Sequence, residues 1–194
     1  MAKRTILASY WHFFWAGLSK QPQTGAFVPS QRFLVDTMIS PIPRDYRGKI
    51  VELGTGNGTL TRRLAARCPH AQILACEINP VLAQDTRNNL ARAGVNGRVQ
   101  VFTSPAQELL AQLTAQNSNK PGFVISCLPL ANFGRDTVLG LVEAARQALA
   151  DEGTFVQVQH LLWDRGRIRA TFPRLRTVPV LLNVPPAFVY FAQK

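Results

Sequence analysis

Acidic residues are scarce in this sequence. The 194 residues include 11 Asp and Glu against 22 Lys and Arg, which gives a formal net charge of +11. Only 17% of the residues are charged, below the roughly 25% of an average soluble domain. This imbalance favours a polyanionic partner, and composition alone does not distinguish nucleic acid from an anionic membrane surface. A hydrophobic content of 46% without a short repeat excludes a disordered, collagen-like or coiled-coil chain.

Cysteine and long hydrophobic runs are also scarce. The three cysteines, Cys68, Cys76 and Cys127, have no C-x-x-C spacing, which excludes a disulfide framework and a zinc site and favours a reduced, cytoplasmic setting. No metal is expected. The longest aromatic and aliphatic run, 10–18, is interrupted by His12 and is shorter than the ~20 residues of a membrane-spanning helix. No small-residue cleavage site follows it, so we expect the run to stay on the protein.

The order of the predicted elements indicates one α/β domain. From residue 49 onward, β-prone runs alternate with helical stretches, as expected for a mostly parallel sheet covered by helices. Two apolar runs around Pro185-Pro186 are too close together for a helical crossover, so they predict an antiparallel C-terminal hairpin at the sheet edge. The predicted strands are 49–53, 72–77, 98–103, 123–127, 153–160, 178–184 and 187–192, and the predicted helices are 59–67, 80–93, 106–115 and 136–150.

A glycine loop connects the first predicted strand to the first predicted helix. Residues 51–58 read Val-Glu-Leu-Gly-Thr-Gly-Asn-Gly, and glycines here allow dihedral angles closed to other residues and a close backbone approach to a ligand. A dinucleotide-binding G-x-G-x-x-G loop would need its third glycine at Thr59, which disfavours NAD. Glu77 ends the second predicted strand, where an acid can accept hydrogen bonds from both ribose hydroxyls. The alternative is a turn that only packs strand against helix, with Glu77 in solvent.

The glycine loop, Glu77 and the strand order together resemble the class I S-adenosylmethionine-dependent methyltransferases, over about residues 25–192. The resemblance implies a Rossmann-like fold and S-adenosylmethionine as the cofactor, with the loop under its methionine part and Glu77 at its ribose. The family often has an acid after the third strand. This chain has Ser104 there, and backbone groups or Gln107 could then contact the adenine.

Two further segments bear on a comparison with rRNA adenine dimethyltransferases, and only the first is similar to them. Residues 30–36 read Ser-Gln-Arg-Phe-Leu-Val-Asp, close to the S-Q-N-F-L-x-D signature of that family, which implies cofactor contacts from Gln31 and Leu34. A Ser-Cys-Leu-Pro-Leu run follows the fourth predicted strand, where those enzymes have N-L-P-Y or N-L-P-F. Cys127 replaces the Asn that holds the exocyclic amine, and Leu130 replaces the ring that stacks on the base. Both groups that grip a nucleobase are therefore missing.

The match is closer to the bacterial phospholipid N-methyltransferases, which convert phosphatidylethanolamine to phosphatidylcholine. The shared segments are T-G-A-x-x-P-S at residues 24–30 and S-x-L-P-L at residues 126–130, followed by Asn132-Phe133. Adenine dimethyltransferases normally add a small helical RNA-binding domain after the sheet, whereas this sequence ends directly after the predicted hairpin. The resemblance therefore implies a phospholipid substrate and no stable nucleic-acid partner.

The acceptor amine must lose a proton before it attacks a methyl group. In this hypothesis the loop after the fourth strand lines the amine site with backbone carbonyls as acceptors, and His160 is a candidate base. Tyr10, His12 or water are alternative bases, and His160 could be merely hydrogen-bonded. The catalytic residues are then Ser126, Leu128, Pro129 and His160. The implied cofactor-binding residues are Gln31, Leu34, Glu52, Gly54, Gly56, Gly58, Glu77, Ser104 and Cys127.

Residues 1–22 form a predicted amphipathic helix ahead of the methyltransferase domain at 23–194. At about 100° per residue, the apolar side chains of this segment fall within an arc of about 200°. Basic residues flank the arc, which is typical of a helix that lies in a lipid headgroup region. A core helix across the sheet opening is the alternative, and one helix could do both as a lid. The predicted lipid-binding residues of the helix are Tyr10, Trp11, Phe14 and Trp15.

A second basic segment follows the fifth predicted strand. Arg165, Arg167 and Arg169 surround Ile168, and guanidinium groups bind phosphate oxygens in a bidentate manner. This pattern favours lipid phosphates on an anionic membrane surface. An RNA backbone and a solvated basic helix are the alternatives. We therefore expect a cytoplasmic protein, peripheral on the inner face of the cell membrane.

The sequence thus predicts a phospholipid N-methyltransferase that acts on phosphatidylethanolamine and its methylated intermediates. One alternative is an enzyme that methylates adenine N6 in rRNA. Another is a catalytically silent methyltransferase fold that serves as a membrane or RNA adaptor, against which the intact glycine loop and Glu77 argue. The number of methyl groups, the acyl-chain preference and the oligomeric state stay open, as does another aminolipid or a small amine as acceptor.

Overall fold

The computed structural model describes residues 29–116, 119–183 and 185–194. The predicted lipid-binding helix with Tyr10, Trp11, Phe14 and Trp15 lies outside the described residues. Described strands are β1 (Lys49–Leu53), β2 (Gln72–Cys76), β3 (Val99–Phe102), β4 (Phe123–Ser126), β5 (Thr154–Gln159), β6 (Arg174–Val180) and β7 (Ala187–Gln193). Described α-helices are α1 (Pro29–Ile39), α2 (Thr59–Arg67), α3 (Pro80–Arg92), α4 (Ala106–Gln116), α5 (Arg135–Ala148) and α6 (Arg165–Thr171).

The strands form one sheet in the order β3-β2-β1-β4-β5-β7-β6. The pairs among β1 to β5 are parallel, and β7 is antiparallel to both of its neighbours, β5 and β6. This confirms the predicted α/β class, with a mostly parallel sheet and an antiparallel C-terminal hairpin. The ends of β1 to β5 and of α2 to α5 lie within two residues of the predicted ends.

The predicted start and end of the first hairpin strand were wrong. This strand runs over Arg174–Val180 rather than 178–184. Val180 pairs with Ala187, so the residues between them connect the two strands and cannot extend the ladder. Arg174 and Arg176 are exposed and alternate with half-buried Leu175, which is the alternation of a strand with one solvated face.

Helices cover both faces of the sheet and form two buried cores. On one face, Leu110 of α4 and Leu141 of α5 pack with Val124 of β4. On the other face, Met38 of α1 and Leu64 of α2 pack among residues that include Ile125 of β4. Because consecutive residues of a strand point to opposite faces, the central strands are buried on both sides.

The five parallel strands all end at the same edge of the sheet, called here the carboxyl edge. The loops that follow them therefore converge, and ligands of open α/β sheets bind at such an edge. Since β6 runs in the same direction as β5, the turn between β6 and β7 also lies at the carboxyl edge. The fold thus places every predicted site segment after β1 to β5 on one side of the molecule.

Candidate active site

The glycine loop at the end of β1 has the backbone conformation that its sequence predicts. Gly54, Gly56 and Gly58 have φ values of 79°, 56° and 79°, in the left-handed region where other residues are strained. A Cβ at Gly58 would lie 2.9 Å from Cγ2 of Thr86, and one at Gly54 would lie 3.0 Å from Cδ2 of Leu128. The conformation therefore favours glycine at all three positions, and at Gly58 the lack of space adds to this requirement.

Helix α3 holds the glycine loop through side chains that the sequence analysis missed. The Thr86 hydroxyl donates to the carbonyl oxygen of Gly56 at 2.8 Å, and the Asn89 amide donates to that of Asn57 at 2.9 Å. These contacts join segments about thirty residues apart in the chain. They satisfy loop carbonyls and fix the loop before any ligand binds.

Glu77 follows β2 and is almost fully buried. Its Oε2 accepts a hydrogen bond from the Gly56 N–H at 2.9 Å, and its Oε1 accepts one from the Asn79 N–H at 3.0 Å. A carboxylate has about four acceptor positions, so both oxygens can accept a further donor. Glu77 therefore orders the glycine loop and retains acceptor capacity for ribose hydroxyls.

Glu52 is a fully buried acid in β1. Neither carboxylate oxygen has a hydrogen-bond partner among the described residues, and the hydroxyl of nearby Thr61 lies outside hydrogen-bond geometry. Burial raises the pKa of Glu52 to about 8, the Thr61 hydroxyl lowers it in part, and the negative charge of Glu77 raises it further. An unpartnered buried acid is costly without a donor or a cation beside it.

The residues at this edge fit S-adenosylmethionine. The cofactor carries positive charge at its sulfonium and its α-ammonium, and it presents two ribose hydroxyls. Glu52 offers an unpartnered acid for a cation, Glu77 offers acceptors for hydroxyls, and the glycine loop leaves room for close backbone approach. Cys127 is a neutral thiol because burial and the charges of the two acids raise its pKa.

The loop after β4 is held by its own backbone and by β5. Ser126 is fully buried and its Oγ accepts from the Leu128 N–H at 3.3 Å. The Leu128 carbonyl accepts from the Leu130 N–H at 2.9 Å and from Nε2 of Gln157 at 2.9 Å. The Pro129 carbonyl accepts from Asn132. Two of the carbonyls predicted to receive the amine are thus already engaged within the loop.

Gln157 is a further residue that the sequence analysis missed. It is fully buried in β5, and within the part of the chain that the structure describes its Oε1 has no hydrogen-bond partner. Its Nε2 also donates to the Val158 carbonyl at 2.7 Å, so the amide orientation follows from two carbonyl acceptors. The signal in the sequence was a Gln between two β-branched residues of a buried strand.

His160 lies directly after β5 and is half-buried. Its Nδ1 is 3.0 Å from the Pro186 carbonyl oxygen. Because a carbonyl only accepts, Nδ1 carries the hydrogen, and in the neutral ring Nε2 is the unprotonated nitrogen. The hairpin turn therefore fixes the tautomer that a proton acceptor needs.

Comparison with known proteins agrees with this geometry. The sequence family described as a methyltransferase domain matches residues 50–153. The chain belongs to this methyltransferase family. S-adenosylmethionine is its cofactor.

Individual relatives match the methyltransferase over most or part of its length. An ornithine lipid N-methyltransferase from Singulisphaera acidiphila is 29% identical over 170 residues, 87% of either chain. A tRNA1(Val) (adenine(37)-N6)-methyltransferase from Haemophilus influenzae is 30% identical over 130 residues, 61% of this chain and 55% of the relative. The crystal structure of an O-methyltransferase from Bacillus cereus in complex with SAH has a TM-score of 0.67 at 18% identity, covering 98% of this chain and 91% of that one.

The remaining predicted cofactor contacts of the methyltransferase lie near the carboxyl edge. Gln31 and Leu34 are on α1, and Leu34 packs against the core on the α1 and α2 face. Asp36 of α1 binds Arg63 of α2 through two hydrogen bonds of 2.9 Å, which holds α1 beside the helix that follows the glycine loop. Ser104 follows β3 and is half-buried.

The predicted phosphate-binding arginines lie on α6. Arg165 and Arg169 are exposed, whereas half-buried Arg167 forms an ion pair with buried Asp164. Two exposed cations thus remain for a ligand, and the third arginine orders the turn before α6. Within the described ranges, the methyltransferase has no helix that is long and apolar enough to cross a membrane.

Proposed function

We propose that this methyltransferase transfers methyl groups to the amine of phosphatidylethanolamine and of its methylated intermediates at a membrane surface. The observation that carries the proposal is the similarity to an ornithine lipid N-methyltransferase over 87% of both chains. That extent includes segments on both sides of the matched family domain, so the similarity is not restricted to the cofactor loop.

The loop after β4 supports a lipid rather than a nucleobase. Leu130 is fully buried, so it offers no surface on which a base could stack. Cys127 has no amide with which to hold an exocyclic amine. Leu128, half-buried and close to Gly54, gives this part of the site an apolar wall. Such a wall suits a flexible headgroup on an acyl glycerol better than a flat heterocycle.

The chain has to present an uncharged amine and exclude water. When bound, S-adenosylmethionine supplies a methyl group that is already activated on a sulfonium. The protein therefore contributes alignment and removal of a proton. In our proposal Nε2 of His160 accepts the proton of the ammonium, and the Pro186 carbonyl holds the ring in place through Nδ1. The amine nitrogen then has a lone pair with which to form the new bond.

An ornithine lipid is the second candidate acceptor, because the relative that covers most of this chain is named for that substrate. It presents an amine on a different headgroup, and the same proton removal would apply. The Haemophilus influenzae relatives, by contrast, match this chain over about half of their own length. RNA is therefore included as an acceptor in the test below, and we do not propose it as a substrate.

The decisive experiment supplies labelled S-adenosylmethionine with one acceptor at a time. The acceptors are phosphatidylethanolamine vesicles, ornithine lipid vesicles and unmodified RNA, each incubated with the full chain. We expect label in phosphatidylethanolamine. Label in the ornithine lipid alone would reassign the headgroup and keep a lipid substrate. Label in RNA, with neither lipid labelled, would overturn the proposal.

A further inference from the structure

Exposed large apolar side chains are distributed unevenly over the described residues. The seven such residues are Phe33, Ile78, Val81, Leu161, Leu162, Leu181 and Leu182. All except Phe33 follow the end of a strand at the carboxyl edge. Ile78 lies between Glu77 and Asn79, Val81 follows two residues after Asn79, and both belong to the cofactor end. The other four are two adjacent pairs, called here the leucine tips.

The two leucine tips are neighbours in space. Leu161 and Leu162 follow β5, and Leu181 and Leu182 follow β6. His160 contacts the carbonyl oxygen of Pro186 in the β6–β7 turn at 3.0 Å. The hydroxyl of Tyr190 in β7 also donates to the Leu161 carbonyl at 3.4 Å. The post-β5 loop and the hairpin turn therefore form one continuous surface.

The exposed fraction of the leucine side chains at the tips is large for the surface of a protein domain. Leu181 and Leu182 are 72% and 66% exposed, and Leu161 and Leu162 are 45% and 47% exposed. Single exposed leucines need no explanation, whereas two adjacent pairs on loops that contact each other indicate an interaction site.

Basic groups lie beside the leucine tips. Helix α6 begins with exposed Arg165, which follows the Leu162–Asp164 turn, and Arg169 is exposed one turn later. A pocket of about 320 Å³ lies between the first turns of α5 and α6, and its lining includes Arg135 and Arg167. Asp136 is an exposed acid beside Arg135, so the arginines outnumber the acids here. This arrangement is complementary to a bilayer surface, because the arginines can bind lipid phosphates while the leucine tips contact the acyl chains below them.

The opposite edge of the sheet lacks this combination. Its loops expose the cations Arg44 and Arg47. Among the described residues, no large exposed apolar side chain lies in those loops. Exposed Asp45 and Asp151 also lie in those loops. Both the leucine tips and the local excess of arginine therefore distinguish the carboxyl edge.

We propose that the leucine tips insert into the headgroup region of an anionic lipid bilayer while Arg135, Arg165 and Arg169 bind its phosphates. This inference rests on the proposed function in one respect. If the substrate is a lipid, the membrane contact would turn His160 and the post-β4 loop towards it. The contact itself does not depend on which headgroup is methylated.

Vesicle binding by the full chain tests the proposal. We compare phosphatidylglycerol-rich and phosphatidylcholine vesicles, using the double variants Leu181→Ser with Leu182→Ser, and Leu161→Ser with Leu162→Ser. Each should weaken binding to the anionic vesicles at least about tenfold, because apolar area no longer leaves water. Arg165→Gln with Arg169→Gln should reduce binding and its salt dependence. The matched pair at the opposite edge, Arg44→Gln with Arg47→Gln, should have little effect.

Two further measurements distinguish a loss of membrane binding from a loss of catalysis or a misfolded loop. In detergent micelles that already disperse the substrate, the leucine variants should keep their activity, and in vesicles they should lose it. Leu182→Trp should shift its added fluorescence to shorter wavelength on anionic vesicles, which a variant with misfolded loops would not do. Unchanged vesicle binding by both double variants would overturn the proposal. Leucine-dependent binding without methylation of any lipid would instead overturn the proposed function alone.

Discussion

The side-chain amide of Gln157 donates a 2.9 Å hydrogen bond to the carbonyl oxygen of Leu128, so β5 positions the loop that follows β4. Gln157→Leu would remove this bond and leave a buried carbonyl with one partner fewer. We expect a loss of about 0.5–1.5 kcal/mol in the free energy of unfolding, measured by urea denaturation, because the Leu128 carbonyl keeps its bond from the Leu130 N–H. The control Gln72→Leu changes an exposed strand residue. Equal stability of Gln157→Leu and wild type would contradict this positioning role.

Glu52 should make stability depend on pH. Its pKa is raised to about 8 in the folded protein from 4.5, so between these values the folded state keeps a proton that the unfolded chain has released. Stability from this group therefore falls as pH rises through that window, by up to about 1.4 kcal/mol per pH unit. Glu52→Gln should remove that part of the slope in urea unfolding at pH 5.5, 7 and 8.5. An identical slope in both proteins would show that Glu52 does not titrate in this way.

Binding of the cofactor should release a proton from Glu52. A cation placed beside this carboxyl favours its ionised form and opposes the effect of burial on its pKa. Calorimetric titration with S-adenosylmethionine near pH 7, in buffers of different ionisation enthalpy, measures the number of protons released. The release should vanish in Glu52→Gln, whereas equal release by the variant would assign the proton to another group.

Gly58→Ala should disturb the glycine loop. The new Cβ would require φ near +79° and would lie 2.9 Å from Thr86, so we expect a loss of roughly 1–3 kcal/mol in stability and weaker cofactor binding. Gly140→Ala is the matched control, because its Cβ would meet no atom within 4 Å in the middle of α5. That variant should gain about 0.5–1 kcal/mol. A Gly58→Ala protein with normal stability and cofactor affinity would refute the strain argument.

His160→Asn tests the proposed base. The Asn amide can take the place of the Nδ1–H donor to Pro186 but cannot accept a proton from the substrate. We expect kcat to fall about 10²- to 10⁴-fold, with KM and vesicle binding unchanged. Full activity of the variant would assign proton removal to water or to another group.

The elements of the sheet could be predicted because their signals are local. Alternating β-prone and helical runs predicted β1 to β5 and α2 to α5. Helix α1 was missed although its signal was present. Val35, Met38, Ile39 and Ile42 are all buried, and their spacing is that of one helix face.

The contacts of the site could not be predicted in the same way. Gln157 and Leu128 are 29 residues apart, and only the pairing of β4 with β5 brings them together. Leu181 and Leu182 are as apolar as core residues, so periodicity assigned them to a strand. Their exposure follows from the pairing of Val180 with Ala187, which leaves them in the turn.

Strand β7 is synthesised after β6 but lies between β5 and β6 in the sheet. Until β7 leaves the ribosome, β6 has no partner, and the growing chain exposes the edge of β5. Pairing of this kind is slow because it waits for distant segments. Residues 187–193 therefore complete the sheet after all its other strands have been synthesised, and a premature stop within them would release two strands rather than one.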